Sequence, residues 1–240
     1  MLTDTSVELI ILGGGGHARV LIESLQTSGR SDVMCALDQN PSLWGKDLMG
    51  VPVLGGDDLL PELVQQGATY FVVGLGGVGD NRPRRRLFEL GLGSGLTPLT
   101  VLHKSAIISP GAKIGLGSAL FPGAIVNTEA LLGDNVIVNT GAIVEHGCII
   151  GDHVHVATGS RLCGVVNLAN GVHIGAGATV REGVTVGAGS IIGAGALVLQ
   201  DVEPGTVMVG VPARFLKPSG VDASHFTPTA FTPTSSRGIK

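Results

Sequence analysis

Between Leu102 and Val198 every sixth residue is aliphatic, seventeen positions in succession: Leu102, Ile108, Ile114, Leu120, Val126, Leu132, Val138, Val144, Ile150, Val156, Leu162, Leu168, Ile174, Val180, Val186, Ile192 and Val198. Four residues after each comes a second column of small residues, running from Ala106, Ala112 and Ser118 to Val184, Ser190 and Ala196. An ordinary sandwich of short strands does not hold a strict six-residue register, whereas a parallel β-helix built from hexapeptides requires one. Three short strands make one triangular coil of 18 residues, so residues 18 apart stack at about 4.8 Å. Large aliphatics fill the prism and the small column lets the chain turn its corners. The register is unbroken for a little over five coils. It then breaks at Gln200–Pro212, where Asp201, Pro204 and Pro212 suit a terminating loop and a closing segment.

Composition agrees. Glycine supplies 39 of 240 residues, as corners demand, yet falls far short of the one-third with period three that collagen needs. A hydrophobic fraction of 44 % with 14 % charged residues is incompatible with a disordered chain. No apolar run is long enough for a membrane span. A net charge of −4 argues against a general nucleic-acid surface. Met1–Glu8 carries two acids and no basic residue, a poor signal peptide. Cys35, Cys148 and Cys163 lack metal-type spacing and read as reduced thiols, so the expected location is cytoplasmic.

Before residue 101 the pattern is α/β. Strands are expected at Val7–Leu12, Val33–Leu37 and Thr69–Leu75, with helices at about Ala18–Thr27, Leu59–Gln66 and Arg82–Leu90, which implies a parallel sheet with ligands at the strands' carboxyl ends. Gly13, Gly15 and Ala18 spell G-x-G-x-x-A directly after the first strand, and Asp38 ends the second. Bare backbone N–H groups at a helix N-terminus suit phosphate, and a carboxylate at that distance suits ribose hydroxyls. The segment is short for a full dinucleotide fold, so half of that architecture holding one nucleotide is expected. Gly74-Leu75-Gly76-Gly77 adds a second glycine-rich loop beside the first. The organisation expected is a nucleotide-sugar-binding half-Rossmann-like domain over 1–100, a left-handed β-helix over 101–217, and a disordered tail over 218–240. Arg82, Arg84, Arg85 and Arg86 are expected on a solvated helix face; the alternative is that one of them reaches a phosphate. Trp44 and Tyr70 carry no readable signal.

Together, GGGGHARV, LDQNP, the join LHKSAIISPGAKIG, the stretch NTGAIVEHGCIIGDHVHVATGS and the terminal GVPAR resemble the sugar O- and N-acyltransferase family of hexapeptide-repeat proteins. That resemblance covers roughly residues 7–217. It implies a homotrimer with active sites between neighbouring prisms, acetyl-CoA along the groove and a histidine as general base. Carried over by position, the base is His146. The backbone N–H of Gly164 faces the thioester oxygen, and His155, Gly164, Ala176 and Ala194 line the acetyl-CoA site. The nucleotide-linked amino-sugar then meets Gly15, Gly16, His17, Asp38, Gln39, Asn40 and Gly74; no metal is expected.

Spacing supports this independently. His146, Gly164 and Glu182 are 18 apart and share one corner, while Thr158, Ala176 and Ala194 share another. One convex prism cannot fold two of its own corners around a ligand, so a site using both needs two chains. The implied chemistry is direct acyl transfer, with His146 taking the proton as an amine attacks the thioester. One departure stands out: the resemblance leads us to expect an acid after the base, and this chain has Gly147. Glu145 precedes the base, but consecutive residues on extended backbone point to opposite sides, which leaves Asn127 and Asn139 as candidates to orient the ring. The leading expectation is N-acetylation of a nucleotide-linked 4-amino-4,6-dideoxy sugar. The alternatives are O-acetylation of a sialic-acid-type sugar, a zinc hydratase using His153, His155 and His173, and a non-catalytic assembly protein.

Overall fold

The computed structural model describes residues 8–29, 33–222 and 226. The leading unit runs β1 (Glu8–Leu12), α1 (Gly16–Thr27), β2 (Val33–Leu37), β3 (Asp47–Leu48), β4 (Val51–Gly55), α2 (Leu60–Gln65), β5 (Ala68–Val73), α3 (Arg82–Gly93) and β6 (Thr97–Pro98). Its sheet has the order β3-β4-β2-β1-β5-β6, parallel except for the β3–β4 hairpin. Beyond Glu8 in β1 and Thr69 and Tyr70 in β5, the central strands are apolar because both faces are covered. Ile10 and Leu12 pack with Leu63 and Phe88 on the α2–α3 side. Leu9 and Ile11 pack with Leu21 and Leu25 of α1 on the other, in a cluster that also contains Val101, Ala119, Phe121 and Ile137 of the following unit. The two units therefore share a core.

The first helix begins at Gly16, two residues earlier than expected, and Val7 lies outside the described residues. β4 went unread in the sequence. Its five residues VPVLG contain a proline and sit between turn signals, yet they alternate buried and exposed and pair parallel with β2.

From residue 101 the chain winds a triangular prism of seventeen two-residue strands among the described residues, Val101–Leu102 to Leu197–Val198. The second residue of each strand is the hexad aliphatic, pointing inward. Leu102, Ile108 and Ile114 are only partly buried, because no coil lies beneath the first one. The first face carries Val101, Ala119, Ile137, His155, His173 and Ile191 outward, and the leading unit docks on it. The second face carries Ile107, Ile125, Ile143, Arg161, Thr179 and Leu197 outward; the third carries Lys113, Leu131, Ile149, Asn167 and Thr185. After the last coil, Thr206–Val209 adds parallel to Ile191–Ile192, and Arg214–Pro218 returns antiparallel to it. Part of the expected terminating loop thus extends the sheet.

The expected disordered tail lies outside the described residues over 223–225 and 227–240. Of its described members, Val221 and Phe226 are buried, and Phe226 lies under the Arg85 guanidinium at 5.6 Å from the ring centre.

Candidate active site

At the carboxyl ends of the leading strands the two glycine-rich loops touch. Gly13 N–H donates to Leu37 O and Gly74 N–H to Leu12 O, each at 2.7 Å, and a Cβ at Gly74 would collide with the Gly13 carbonyl oxygen. Gly15 and Gly16 open α1 with no side-chain cap and with open space beside them, so the first-turn N–H groups face outward. Asp38 accepts from Gly14 N–H through Oδ2 at 2.7 Å and from Asn40 N–H through Oδ1 at 2.8 Å. Its carbonyl oxygen accepts from the Trp44 indole at 2.7 Å, a role the sequence did not reveal. The Asn40 side chain caps the short helical turn that follows, accepting from Ser42 N–H. Beside Asp38 lies a cleft of about 240 Å³ lined by Gly13, Leu37, Asp38, Gln39, Asp57, Leu75, Pro83, Arg86 and Leu87. The sequence gives no sign of Asp57 as a ligand contact, and marks Arg86 only as one of four arginines of which one could reach a phosphate. They reach the cleft only because β4 and α3 converge there.

The arginine run does not form one solvated face. Arg84 is fully buried, donating to Val73 O (3.1 Å), Leu75 O (2.9 Å) and, across the joint, Asn135 O (3.3 Å). Three carbonyls in place of water stabilise the cation, although burial pushes it down to about 9. Asn81 likewise donates to Gly171 O and Val172 O of the prism. Arg82 pairs with Asp80, Arg85 with Glu89 and Arg86 with Asp57.

Histidines fill the rest of the joint. His17 meets Phe121 edge-on at 5.1 Å, and burial, with Arg84 and His155 nearby, pushes it down to about 3. His155 Nδ1 lies 2.8 Å from the Gly77 carbonyl, which only accepts, so Nδ1 carries the proton and Nε2 accepts from Asn139 Nδ2 at 3.1 Å. Burial and the neighbouring His173 hold His155 at about 3. The His155 and His173 rings meet edge-on at 5.0 Å, stacked 18 residues apart as the spacing foretold. Among the described residues no group of three or more His, Cys, Asp or Glu is disposed to hold a metal ion.

The prism's three corners differ in chemistry. The corner between its third and first faces is a ladder of Asx side chains: Leu116 N–H donates to Asp134, Asp134 N–H to Asp152 and Asp152 N–H to Asn170. The corner between first and second faces stacks Thr140, Thr158, Ala176 and Ala194, linked through Gly159, Gly177 and Gly195 N–H groups. Thr158, Ala176 and Ala194 are exposed along it. The corner between second and third faces stacks Thr128, His146, Gly164 and Glu182, linked through Gly147, Val165 and Gly183 N–H groups.

There the exposed His146 ring lies over Gly164. A Cβ on Gly164 would sit 2.7 Å from both Cε1 and Nε2, so the ring lies there only because that residue is glycine. Gly147 adopts φ +66, the left-handed corner conformation, without strain, whereas Val165 holds φ +52 one coil on, a costly conformation for a β-branched residue. The Glu145 carboxylate is not on the His146 ring. Its Oε2 accepts from Asn127 Nδ2 at 2.9 Å and from the His146 backbone N–H at 3.4 Å. Asn139 serves His155 and Thr140, so neither candidate asparagine orients the His146 ring.

A nucleotide-type α/β unit docked on one face of a hexapeptide prism, with an exposed histidine over a glycine at the opposite corner, defines an acyltransferase of the hexapeptide-repeat class. Residues 8–90 match the PglD N-terminal domain, and residues 129–164 and 166–200 match the bacterial transferase hexapeptide repeats. PerB from Caulobacter crescentus, solved with CoA and GDP-perosamine, is 38 % identical over 88 % of this chain and 97 % of that one, with a TM-score of 0.81. A mutant of GDP-perosamine N-acetyl transferase from the same organism, with the same ligands, is 36 % identical over the same shares, with a TM-score of 0.81. The acetyltransferase domain of PglB from Neisseria gonorrhoeae FA1090 is 34 % identical over 88 % of this chain and all of that one, with a TM-score of 0.79. The chain belongs to this family of sugar N-acetyltransferases. A 92-residue stretch is also 28 % identical to the redox-sensing transcriptional repressor Rex of Latilactobacillus sakei, and there the chain spans only 44 % of that curated relative's length.

Proposed function

We propose that this protein is an acetyl-CoA-dependent N-acetyltransferase acting on the amino group of a nucleotide-linked 4-amino-4,6-dideoxy sugar, and that it works as a homotrimer. The observation that carries the reading is the His146 ring seated on Gly164 at an exposed corner, in a chain similar to enzymes solved with CoA and GDP-perosamine.

The α1 N-terminus at Gly15 and Gly16, with Gly74 beside it, receives the phosphates, Asp38 borders the ribose, and Gln39 and Asn40 follow it along the nucleoside. The pantetheine runs along the exposed Thr158–Ala176–Ala194 corner, where small side chains leave room for it. His146 removes the proton from the attacking nitrogen, because an amine is nucleophilic only when neutral. The Gly164 N–H donates to the oxyanion as the tetrahedral centre forms. Both substrates bind together, so no acyl-enzyme is needed. His155 and His17 hold the joint that sets the two units' spacing.

The fold supports a trimer. Ile107 is 64 % exposed on the second face and Ile125 and Ile143 stack after it, an apolar stripe between the coenzyme and base corners that gives way to Arg161 and Thr179 before Leu197. Threefold packing of those faces brings one chain's coenzyme corner to its neighbour's base corner. The nucleotide unit sits on the first face, which adjoins the coenzyme corner and lies across the prism from the same chain's His146. The amino-sugar held by one chain therefore reaches the base of its neighbour. No helix among the described residues is long and apolar enough to cross a membrane. The three free cysteines suit the reducing cytoplasm, where acetyl-CoA and nucleotide sugars are available.

Purified protein is to be incubated with acetyl-CoA and a panel of UDP- and GDP-linked 4-amino-4,6-dideoxyhexoses, with thiol release followed. We expect turnover with at least one amino-sugar; no release with any of them overturns the reading.

A further inference from the structure

The cleft beside Asp38 holds a row of polar groups that the acyl-transfer chemistry leaves unused. Asp57 Oδ2 accepts from Gln39 Nε2 at 2.9 Å and from Arg86 Nη2 at 3.2 Å. Because Asp57 bonds to both, it is the middle member of the row Arg86–Asp57–Gln39. Gln39 must turn its NH₂ toward the carboxylate, which leaves its amide oxygen as the outward acceptor. Among the described residues Asp57 Oδ1 has no hydrogen-bond partner, and the side chain is only 14 % exposed.

This row is a poor phosphate site. Two carboxylates, Asp38 and Asp57, face one guanidinium, so the lining is net negative. Its remaining walls, Leu37, Leu75, Pro83 and Leu87, are apolar and suit a flat ring. At about 240 Å³ the cleft is smaller than the roughly 300–1,000 Å³ of a pocket for a whole drug-sized ligand, so it takes one end of a nucleotide sugar. With phosphates at Gly15 and Gly16 and ribose at Asp38, that end is the base.

We propose that Arg86, Asp57 and Gln39 read the nucleobase and select guanine, so that the substrate is a GDP-linked sugar. This rests on the nucleotide-sugar reading above and deepens it. The row presents donor, acceptor, acceptor. The guanine edge presents the complement in order: the O6 acceptor, the N1–H donor and the N2 amino donor. Uracil presents acceptor, donor, acceptor, which sets its O2 against the Gln39 oxygen. Turning the amide to donate to O2 would aim that oxygen at the Asp57 carboxylate instead.

Calorimetric titration of the intact protein with GDP, UDP and IDP tests this. We expect GDP to bind about tenfold or more tighter than UDP, the discrimination of one good paired base contact. IDP, which lacks only the N2 amino group, falls between them. Asp57→Asn lets the amide donate and collapses the GDP:UDP ratio toward one; Gln39→Leu, the gentler change, erases only the GDP:IDP difference. Equal or tighter UDP binding, or GDP and IDP binding alike, overturns the guanine assignment. If UDP-linked amino-sugars are turned over and GDP-linked ones are not, only this assignment fails. If neither nucleotide binds and no amino-sugar is acetylated, it fails together with the reading beneath it.

Discussion

At the scale of single residues, His146 and Gly164 act as a pair. His146→Ala removes the base and is expected to lower kcat by about 10²–10⁴ with the assembly intact, read by thiol release and light scattering. Gly164→Ala tests the contact from below. Its methyl group would enter the space of Cε1 and Nε2, so the ring must swing away, and kcat should fall while folding is preserved. Unchanged kcat in that variant would mean the ring's seat is irrelevant. The pair was legible in the sequence because residues 18 apart stack whatever their identity. What Glu145 does was not. Its bond to Asn127 depends on which way two side chains turn at neighbouring coils, and it keeps the Glu145 carboxylate off the His146 ring. Arg84 was likewise misread, since a charged residue in a basic run gives no sign that three carbonyls await it.

At the scale of elements, the joint between α3, the Gly74–Gly77 loop and the prism's first face packs histidines that must stay uncharged around the buried Arg84 cation. Burial holds His17 and His155 at about 3 and His153 and His173 at about 4, against about 6.5 in an unfolded chain. Between those values the unfolded chain binds more protons than the folded one. Stability is therefore fully present above about pH 6.5 and falls as pH drops toward 4 and then 3, by up to about 1.4 kcal/mol per pH unit for each histidine. Thermal melts should show Tm falling between pH 7.5 and pH 5, with a shallower fall in His155→Gln; a Tm flat across that range would contradict the assignment. Arg84→Met leaves three carbonyls without their donor and should cost about 3 kcal/mol in urea unfolding. The sequence foretells β1, β2, β5 and the three helices to within a few residues, but not the short strands β3, β4 and β6. It does not foretell their packing, because His155 and His173 occupy the same hexad position as Ile149, Arg161 and Asn167, which are exposed on the other faces, and the spacing does not say which face the leading unit covers.

At the scale of the whole molecule, the nucleotide unit and the base corner lie on opposite sides of one prism, which predicts catalysis between chains. A His146→Ala chain and a Gly15→Glu chain, each inactive alone, should recover activity when assembled together. Random mixing would regenerate about a quarter of the sites, since one interface in four joins an intact nucleotide unit to an intact base. No recovery in mixed assemblies would mean that each chain serves its own base. The sequence by itself determined the prism, its coil length and the membership of each corner, because a six-residue period stacks residues by arithmetic alone. It also marked the phosphate loop, because only glycines permit so bare a backbone. Which face the leading unit covers, which histidines stay neutral beneath it, and which polar groups meet around the cleft were decided by the tertiary structure. Those outcomes depend on surfaces far apart in the chain fitting together, and no local spacing records that fit.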